Sequence, residues 1–130
     1  MTHPDRLRFS RSLGFALEGL SYTARTQPNW RIHLAFAAAA IAAGLSVGLA
    51  PVELAVLALT IGFVLAAEAA NTALEAAVDA IGVHSLPAKH AKDAAAGAVL
   101  VAALTSVLVG LALFVPRLVP LLIGTFPRSG

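Results

Sequence analysis

Residues 51–81, PVELAVLALTIGFVLAAEAANTALEAAVDAI, decide the fold of this 130-residue chain. The stretch is mostly apolar and contains no Lys or Arg. As a helix it would be about 46 Å long, whereas the hydrocarbon core of a bilayer is about 30 Å thick. We therefore predict a transmembrane helix, with its C-terminal end projecting from the hydrocarbon.

Two further apolar segments, residues 32–50 and 94–115, flank this stretch and contain no Asp, Glu, Lys or Arg. Each has about the 20 residues that a membrane-spanning helix needs. The chain is 58% hydrophobic and only 12% charged, which argues against an ordinary soluble globule. It has no cysteine, so disulfides, thiolate zinc sites and cysteine nucleophiles are excluded. The predicted class is an all-α membrane protein with three transmembrane helices.

The predicted organisation has three parts. Residues 1–31 form a cytosolic N-terminal segment, residues 32–115 the transmembrane domain, and residues 116–130 a C-terminal tail. Seven Lys and Arg residues lie before the first span or between the second and third, and two follow the third. By the positive-inside rule, the N-terminus and the 82–92 loop of this multi-pass protein face the cytosol. The tail carries Pro116, Pro120 and Pro127 and is not expected to continue as one helix.

Residues 5–25 predict an amphipathic helix on the membrane surface, because apolar residues recur there at helical spacing. Trp30 lies where an interfacial aromatic is expected. The arginines of this segment have two possible uses, attraction to anionic lipid or handling of a phosphate. The apolar stripe comprises Phe9, Leu13, Leu17, Leu20 and Ala24, and the arginines are Arg6, Arg8, Arg11 and Arg25.

All four acidic residues inside the predicted spans lie in the second span: Glu53, Glu68, Glu75 and Asp79. Glu53 is at the outer end, where it can reach water. With Glu68 set at zero on a helical wheel, Asn71 falls at about −60°, Glu75 at about −20° and Asp79 at about +20°. Glu68, Asn71, Glu75 and Asp79 therefore share one arc of the helix, and we call them the polar row.

An ionised carboxylate in hydrocarbon costs about 3 kcal/mol on insertion scales, so the polar row needs compensation by protein, water or a cation. Carboxylate and amide oxygens suit Mg²⁺, which usually keeps positions for water and phosphate oxygens. Lys89 and Lys92 of the 82–92 loop lie near the same membrane surface. Lys with Mg²⁺ is typical of nucleotide triphosphate sites, so these residues favour phosphoryl transfer to a membrane alcohol.

Other interpretations of these residues stay open at this stage. The polar row can be a structural face that joins helices, or part of a small proton or cation pathway. Asp93 can be the N-cap of the third span. Gly44 and Gly48 match the small-xxx-small pattern of close helix packing, although such matches are common in an alanine-rich span.

The sequence EAANTALEAAVD over residues 68–79 resembles the signature of the small prokaryotic membrane lipid kinases, the diacylglycerol kinase and undecaprenol kinase family. That signature reads E-x-x-N-[ST]-A-[IL]-E-x-x-[VI]-D, and every fixed position is filled. AKDAAAGAV at 91–99, RSLGFA at 11–16 and NWRIH at 29–33 resemble further blocks. The resemblance implies a homotrimer of three-span subunits that transfers the γ-phosphate of Mg-ATP to a lipid hydroxyl. No nucleic acid partner is expected.

The resemblance also implies roles for individual residues. Glu68 would be the general base, and Glu75 would bind metal and nucleotide. Gln27 occupies the position of a second metal-binding glutamate of the family, so that contact would carry no charge. Nucleotide contacts are implied for Arg8, Asn71, Lys92 and Asp93, and lipid contacts for Arg8, Glu68 and Trp30. The NWRIH run resembles undecaprenol kinases more than diacylglycerol kinases, so undecaprenol is the expected lipid and diacylglycerol the alternative.

Overall fold

The chain is described by a computed structural model that covers the backbone of residues 3–82 and 84–122 and the side chains of residues 8–82 and 84–120. The side chain of Arg6 and the residues Pro127 and Arg128 lie outside this description. Within it, the chain is helical, as predicted: α1 (His3–Thr26), α2 (Pro28–Ser46), α3 (Pro51–Ile81) and α4 (Leu86–Leu122).

Two of the helices are long and apolar enough to cross a membrane, over Pro51–Ile81 in α3 and Leu86–Pro120 in α4. The first predicted span differs from its expected bounds. The helix begins earlier, at Pro28, and ends at Ser46 instead of continuing to residue 50. Only about 22 Å of α2 lies beyond Arg31, because the chain turns before α3 begins.

The turn between α2 and α3 assigns different roles to the two glycines of the small-xxx-small pattern. Gly48 adopts the left-handed conformation with φ of 69°, so it belongs to the turn and not to a helix face. Gly44 is buried in α2. A Cβ atom on Gly44 would lie 2.8 Å from Leu49 Cδ1 and 3.4 Å from Leu57 Cδ2. Gly44 therefore allows the turn and α3 to approach α2 closely.

We expect Gly44→Val to destabilise the protein by about 2 kcal/mol, because the added methyl groups overfill a packed contact. The matched control is Gly62→Val, because a Cβ atom on Gly62 would meet no heavy atom within 4 Å. Unfolding of both variants in detergent, followed by circular dichroism, measures the difference. Equal stability of the two variants would contradict the packing role of Gly44.

Helices α3 and α4 form an antiparallel hairpin with a short connection. Gly82 ends α3 in the left-handed conformation, and its N–H donates to the Asp79 carbonyl. Ser85 caps α4, since its Oγ accepts the Ala88 N–H at 3.3 Å. The predicted 82–92 loop is therefore too long, and the N-cap interpretation of Asp93 is wrong because Asp93 lies two turns inside α4.

Helix α4 passes through Pro116 and Pro120 and reaches Leu122, so the described part of the tail continues as a helix, contrary to the prediction. A proline removes one backbone donor, and other donors can satisfy carbonyls in a membrane helix. Arg117 Nη1 donates to the Leu113 carbonyl at 3.0 Å in this region. The described part of the predicted tail is the last part of α4.

Large apolar side chains remain exposed on every helix. On α1 the exposed side chains include Phe9, Leu13, Leu17 and Leu20, the stripe predicted to lie on the membrane surface. Apolar surface on this scale needs an apolar surrounding, either lipid or protein. Further examples from α2, α3 and α4 are Phe36, Leu59, Phe63, Leu100 and Leu108.

Candidate active site

The polar row of α3 runs from the protein interior to its surface. Glu68 is 2% exposed and Asn71 8% exposed, whereas Glu75 is half-buried. The Asp79 side chain is 66% exposed. The face was predicted to point to protein or water. Near Glu68 it points into the protein, and near Asp79 it is exposed. Because Glu68 and Asp79 are 11 residues apart, the row extends about 16 Å along the helix axis.

Glu68 is the most deeply buried large side chain of the described structure. Thr72, one turn later, is also buried, and its Oγ1 donates to the Glu68 carbonyl at 2.9 Å. The Glu68 carboxylate makes no hydrogen bond or ion pair within the described residues. A carboxylate in such surroundings is available to accept a proton from a bound hydroxyl group.

Glu75 is the meeting point of two amide side chains. Asn71 Nδ2 donates to Glu75 Oε1 at 3.1 Å, one helical turn away. Gln27 Nε2 makes a long contact of 3.5 Å with Glu75 Oε2. Gln27 is the single residue between α1 and α2, and its extended backbone precedes Pro28, as expected for a residue before proline. The interruption between α1 and α2 thus brings Gln27 to the polar row, although Gln27 and Glu75 are 48 residues apart in the sequence.

The donor set around Glu75 fits a hard divalent cation. Asn71 Oδ1 is a buried acceptor with no hydrogen-bond partner among the described residues. An unpaired buried acceptor is costly, and a cation beside Glu75 would satisfy it. Within the described ranges no three His, Cys, Asp or Glu side chains form a metal cluster. One carboxylate with amide oxygens is nevertheless compatible with Mg²⁺, whose other ligands are water and phosphate oxygens.

A cavity of about 770 Å³ lies at the end of the hairpin, between the end of α3 and the start of α4. Lys92 crosses to Asp79, with Nζ 2.9 Å from Oδ1 and 3.2 Å from Oδ2. Lys89 Nζ lies 2.6 Å from Asp93 Oδ2 on α4. All four of these side chains line the cavity, together with His84. The predicted position of Lys92 opposite the polar row is therefore found.

Two of the predicted site residues lie apart from this cluster. Arg8 is exposed on α1, about 28 Å along the helix from Gln27. Trp30 is 7% exposed and belongs to the core. The position of Trp30 at the membrane interface and its contact with lipid stay predictions.

Three features of the structure were not predicted from the sequence patterns. Thr72 fills a motif position that suggests no separate role, and the pairing of Lys89 with Asp93 follows from their spacing of four residues on a helix. The third is an ion pair between Glu53 and Arg117 at the other end of the α3–α4 hairpin. No local signal in the sequence indicates that pair, because its partners are 64 residues apart.

Residues 14–114 match the family described as "Prokaryotic diacylglycerol kinase". The chain belongs to this family. The kinase is therefore a membrane lipid kinase with ATP as its phosphate donor, and not a proton or cation pathway.

Two curated relatives are similar to the kinase over most of its length. It is 44% identical to "Undecaprenol kinase" of Bacillus subtilis (strain 168) over 112 residues, which cover 85% of this chain and 91% of the relative. It is 46% identical to "Diacylglycerol kinase" of Synechocystis sp. (strain ATCC 27184 / PCC 6803 / Kazusa) over 115 residues, which cover 86% of this chain and 65% of the relative. No solved structure matches the chain.

Proposed function

We propose that the kinase phosphorylates undecaprenol with Mg-ATP at the cytosolic face of the bacterial inner membrane. The observation that carries this proposal is the increase in side-chain exposure along the polar row, from buried Glu68 to exposed Asp79. Such a gradient suits a reaction between a lipid hydroxyl and a water-soluble nucleotide. Undecaprenol is favoured because the relative named for that lipid is matched over 91% of its length.

In the proposed site, the nucleotide binds in the cavity between α3 and α4, near Lys92 and Asp93. Its phosphates extend toward Glu75, Asn71 and Gln27, which would hold Mg²⁺. The bound ion would supply positive charge beside the phosphate oxygens. Arg8, exposed on α1, is proposed to contact the nucleotide or lipid of a neighbouring subunit, since it lies far from Gln27 in its own chain.

The proposed chemical step is a direct transfer. Glu68 accepts the proton of the lipid hydroxyl group. At the same time, the hydroxyl oxygen of the lipid forms a bond to the γ-phosphorus of ATP. The bond between that phosphorus and the β,γ-bridging oxygen breaks, and ADP leaves. Lys92 can release Asp79 and neutralise the phosphate chain, because their ion pair is exposed and such pairs are weak.

We also propose that α2 crosses the membrane, as α3 and α4 do, and that the N-terminus is cytosolic. Three such subunits would assemble into a homotrimer. The exposed apolar faces of α2, α3 and α4 support an environment of lipid and neighbouring subunits. Chemical cross-linking in detergent, followed by mass measurement, tests the assembly; a monomer under all conditions would contradict it.

The test of the proposed function offers labelled ATP to the purified kinase in mixed micelles that contain undecaprenol or diacylglycerol. Undecaprenol is expected to be phosphorylated with the higher kcat/KM. The second candidate, diacylglycerol, is supported by the relative of that name. A preference for diacylglycerol would overturn the choice of lipid, and no lipid product with either would overturn the proposed reaction.

Gln27 provides a prediction about the metal. Gln27→Glu adds a second carboxylate beside Glu75, and ligand charge strengthens binding of a divalent cation. We expect the Mg²⁺ concentration at half-maximal activity to fall about tenfold. Gln27→Ala is the matched control and should raise it. An unchanged Mg²⁺ dependence in both variants would exclude Gln27 from the metal site.

A further inference from the structure

A second interhelical ion pair lies at the end of the α3–α4 hairpin opposite the nucleotide cavity. Arg117 Nη2 is 2.5 Å from Glu53 Oε2, and both side chains are about 30% exposed. Glu53 Oε2 also accepts the Ala50 N–H at 2.7 Å, and Arg117 Nη1 donates to the Leu113 carbonyl. Glu53 is thus tied to the start of α3 and Arg117 to the backbone of α4, and each is also tied to the facing helix.

The two ion pairs between α3 and α4, Asp79–Lys92 and Glu53–Arg117, are separated by nearly the same distance along each helix. Glu53 and Asp79 are 26 residues apart on α3, about 39 Å, and Arg117 and Lys92 are 25 residues apart on α4, about 38 Å. The two separations agree to within about 2 Å, so α3 and α4 have the same axial offset at both ends of the hairpin. The Glu53–Arg117 pair therefore fixes at the open end of the hairpin the same alignment that the short connection fixes at its closed end.

The rotation of α3 about its axis is fixed in the same way. Relative to Glu68, Glu53 falls at about −60° on the helical wheel, the same angle as Asn71. On α4, Lys92 and Arg117 fall within about 20° of each other. The faces that carry the ion pairs are therefore single faces of each helix, and the face of α3 is the one that contains the polar row.

We propose that Glu53 and Arg117 are positioning residues for the active site. By holding the open end of the hairpin, the pair prevents α3 from rotating or moving away from α4 and keeps Glu68 in its buried position. Neither residue touches the candidate site, because Glu53 is 15 residues from Glu68, about 22 Å along α3. The kinetic part of this inference rests on the proposed function, and the structural part does not.

The structural test uses thiol labelling, which is straightforward because the chain contains no cysteine. Val64 is 6% exposed and lies between Glu53 and Glu68 on the same face, at about −40° on the helical wheel. In a Val64→Cys background, Glu53→Gln and Arg117→Gln should each raise the labelling rate about tenfold, because the hairpin opens locally. Glu53→Gln keeps an oxygen that can accept the Ala50 N–H, so it removes the ion pair and not the helix cap.

Matched variants separate positioning from a general loss of stability. The double variant Glu53→Gln/Arg117→Gln should label no faster than the single variants, since all three lose one shared interaction. Arg117→Lys keeps the cation and should restore slow labelling. Leu59→Cys, at an exposed position, should label at one rate in every background. An unchanged labelling rate of Val64→Cys in both single variants, or additive effects in the double variant, would overturn the proposal.

The kinetic test measures lipid phosphorylation in the same variants without introduced cysteines. Each single variant should lower kcat about fivefold, with KM for ATP within a factor of two of wild type, because the short connection between α3 and α4 still holds the cavity end of the hairpin together. Unchanged kcat despite faster labelling of Val64→Cys would overturn the positioning role for catalysis. Failure of the proposed function would appear separately, as no lipid product from the wild-type kinase, and would leave the labelling result valid.

Discussion

Glu68→Gln is expected to lower kcat for lipid phosphorylation by about a thousandfold while the protein remains folded. Glutamine has nearly the size of glutamate and fits the same buried position, but its amide cannot take the proton of the lipid hydroxyl. KM for ATP should stay close to the wild-type value, because Glu68 does not line the nucleotide cavity. Initial rates with labelled ATP in mixed micelles give both constants.

Glu18→Gln is the matched control for this substitution, because Glu18 is an exposed carboxylate on α1 and lies outside the polar row. It should retain wild-type kcat. Equal elution volumes and circular dichroism spectra would verify that both variants fold. Wild-type turnover in Glu68→Gln would exclude Glu68 as the general base.

Glu75→Gln should produce the second large effect, a loss of about a hundredfold in kcat/KM for ATP at low Mg²⁺. Glu75 is the only carboxylate that contacts both Gln27 and Asn71 among the described residues. Its replacement removes the negative charge that would hold a divalent cation there. Raising the Mg²⁺ concentration should recover part of the activity, and a Mg²⁺ titration of the variant measures this.

Asp79→Asn is the informative contrast, since Asp79 belongs to the same polar row but pairs with Lys92. Its Mg²⁺ dependence should resemble that of the wild type. If Glu75→Gln lost activity equally at every Mg²⁺ concentration, Glu75 would not be a metal ligand.

The helical class and the polar row could be predicted because both depend on local information. The long apolar stretches indicate helices, and the helical period places Glu68, Asn71, Glu75 and Asp79 on one face. The position of Lys92 could also be predicted, since a short connection between antiparallel helices brings residues on its two sides together.

Helix boundaries were less predictable, because hydropathy indicates where lipid begins and not where a helix begins. Ser85 and Pro87 mark the true start of α4, yet the charged residues that follow them favour a loop when hydropathy alone is considered. At the other end of α4, Pro116 and Pro120 favour an interruption of the helix, yet α4 continues through both. Propensity rules derived for helices in water overestimate the disruption by proline within apolar membrane helices.

The remaining features that the sequence did not predict depend on contacts between residues that are far apart in the sequence. The burial of Trp30 depends on the angle between α1 and α2, and the Glu53–Arg117 pair depends on the hairpin register. The contact of Gln27 with Glu75 likewise needs the fold. Sequence patterns on one element can identify such residues but not their partners.

The one-residue junction between α1 and α2 has a mechanical consequence. The backbone of Gln27 alone separates the two helices, and Pro28 fixes the φ angle that follows. Any tilt of α1 must therefore turn about a residue whose side chain already touches Glu75. A change in the tilt of α1 would therefore move Gln27 relative to Glu75, the two residues that we propose as neighbours in the cation site.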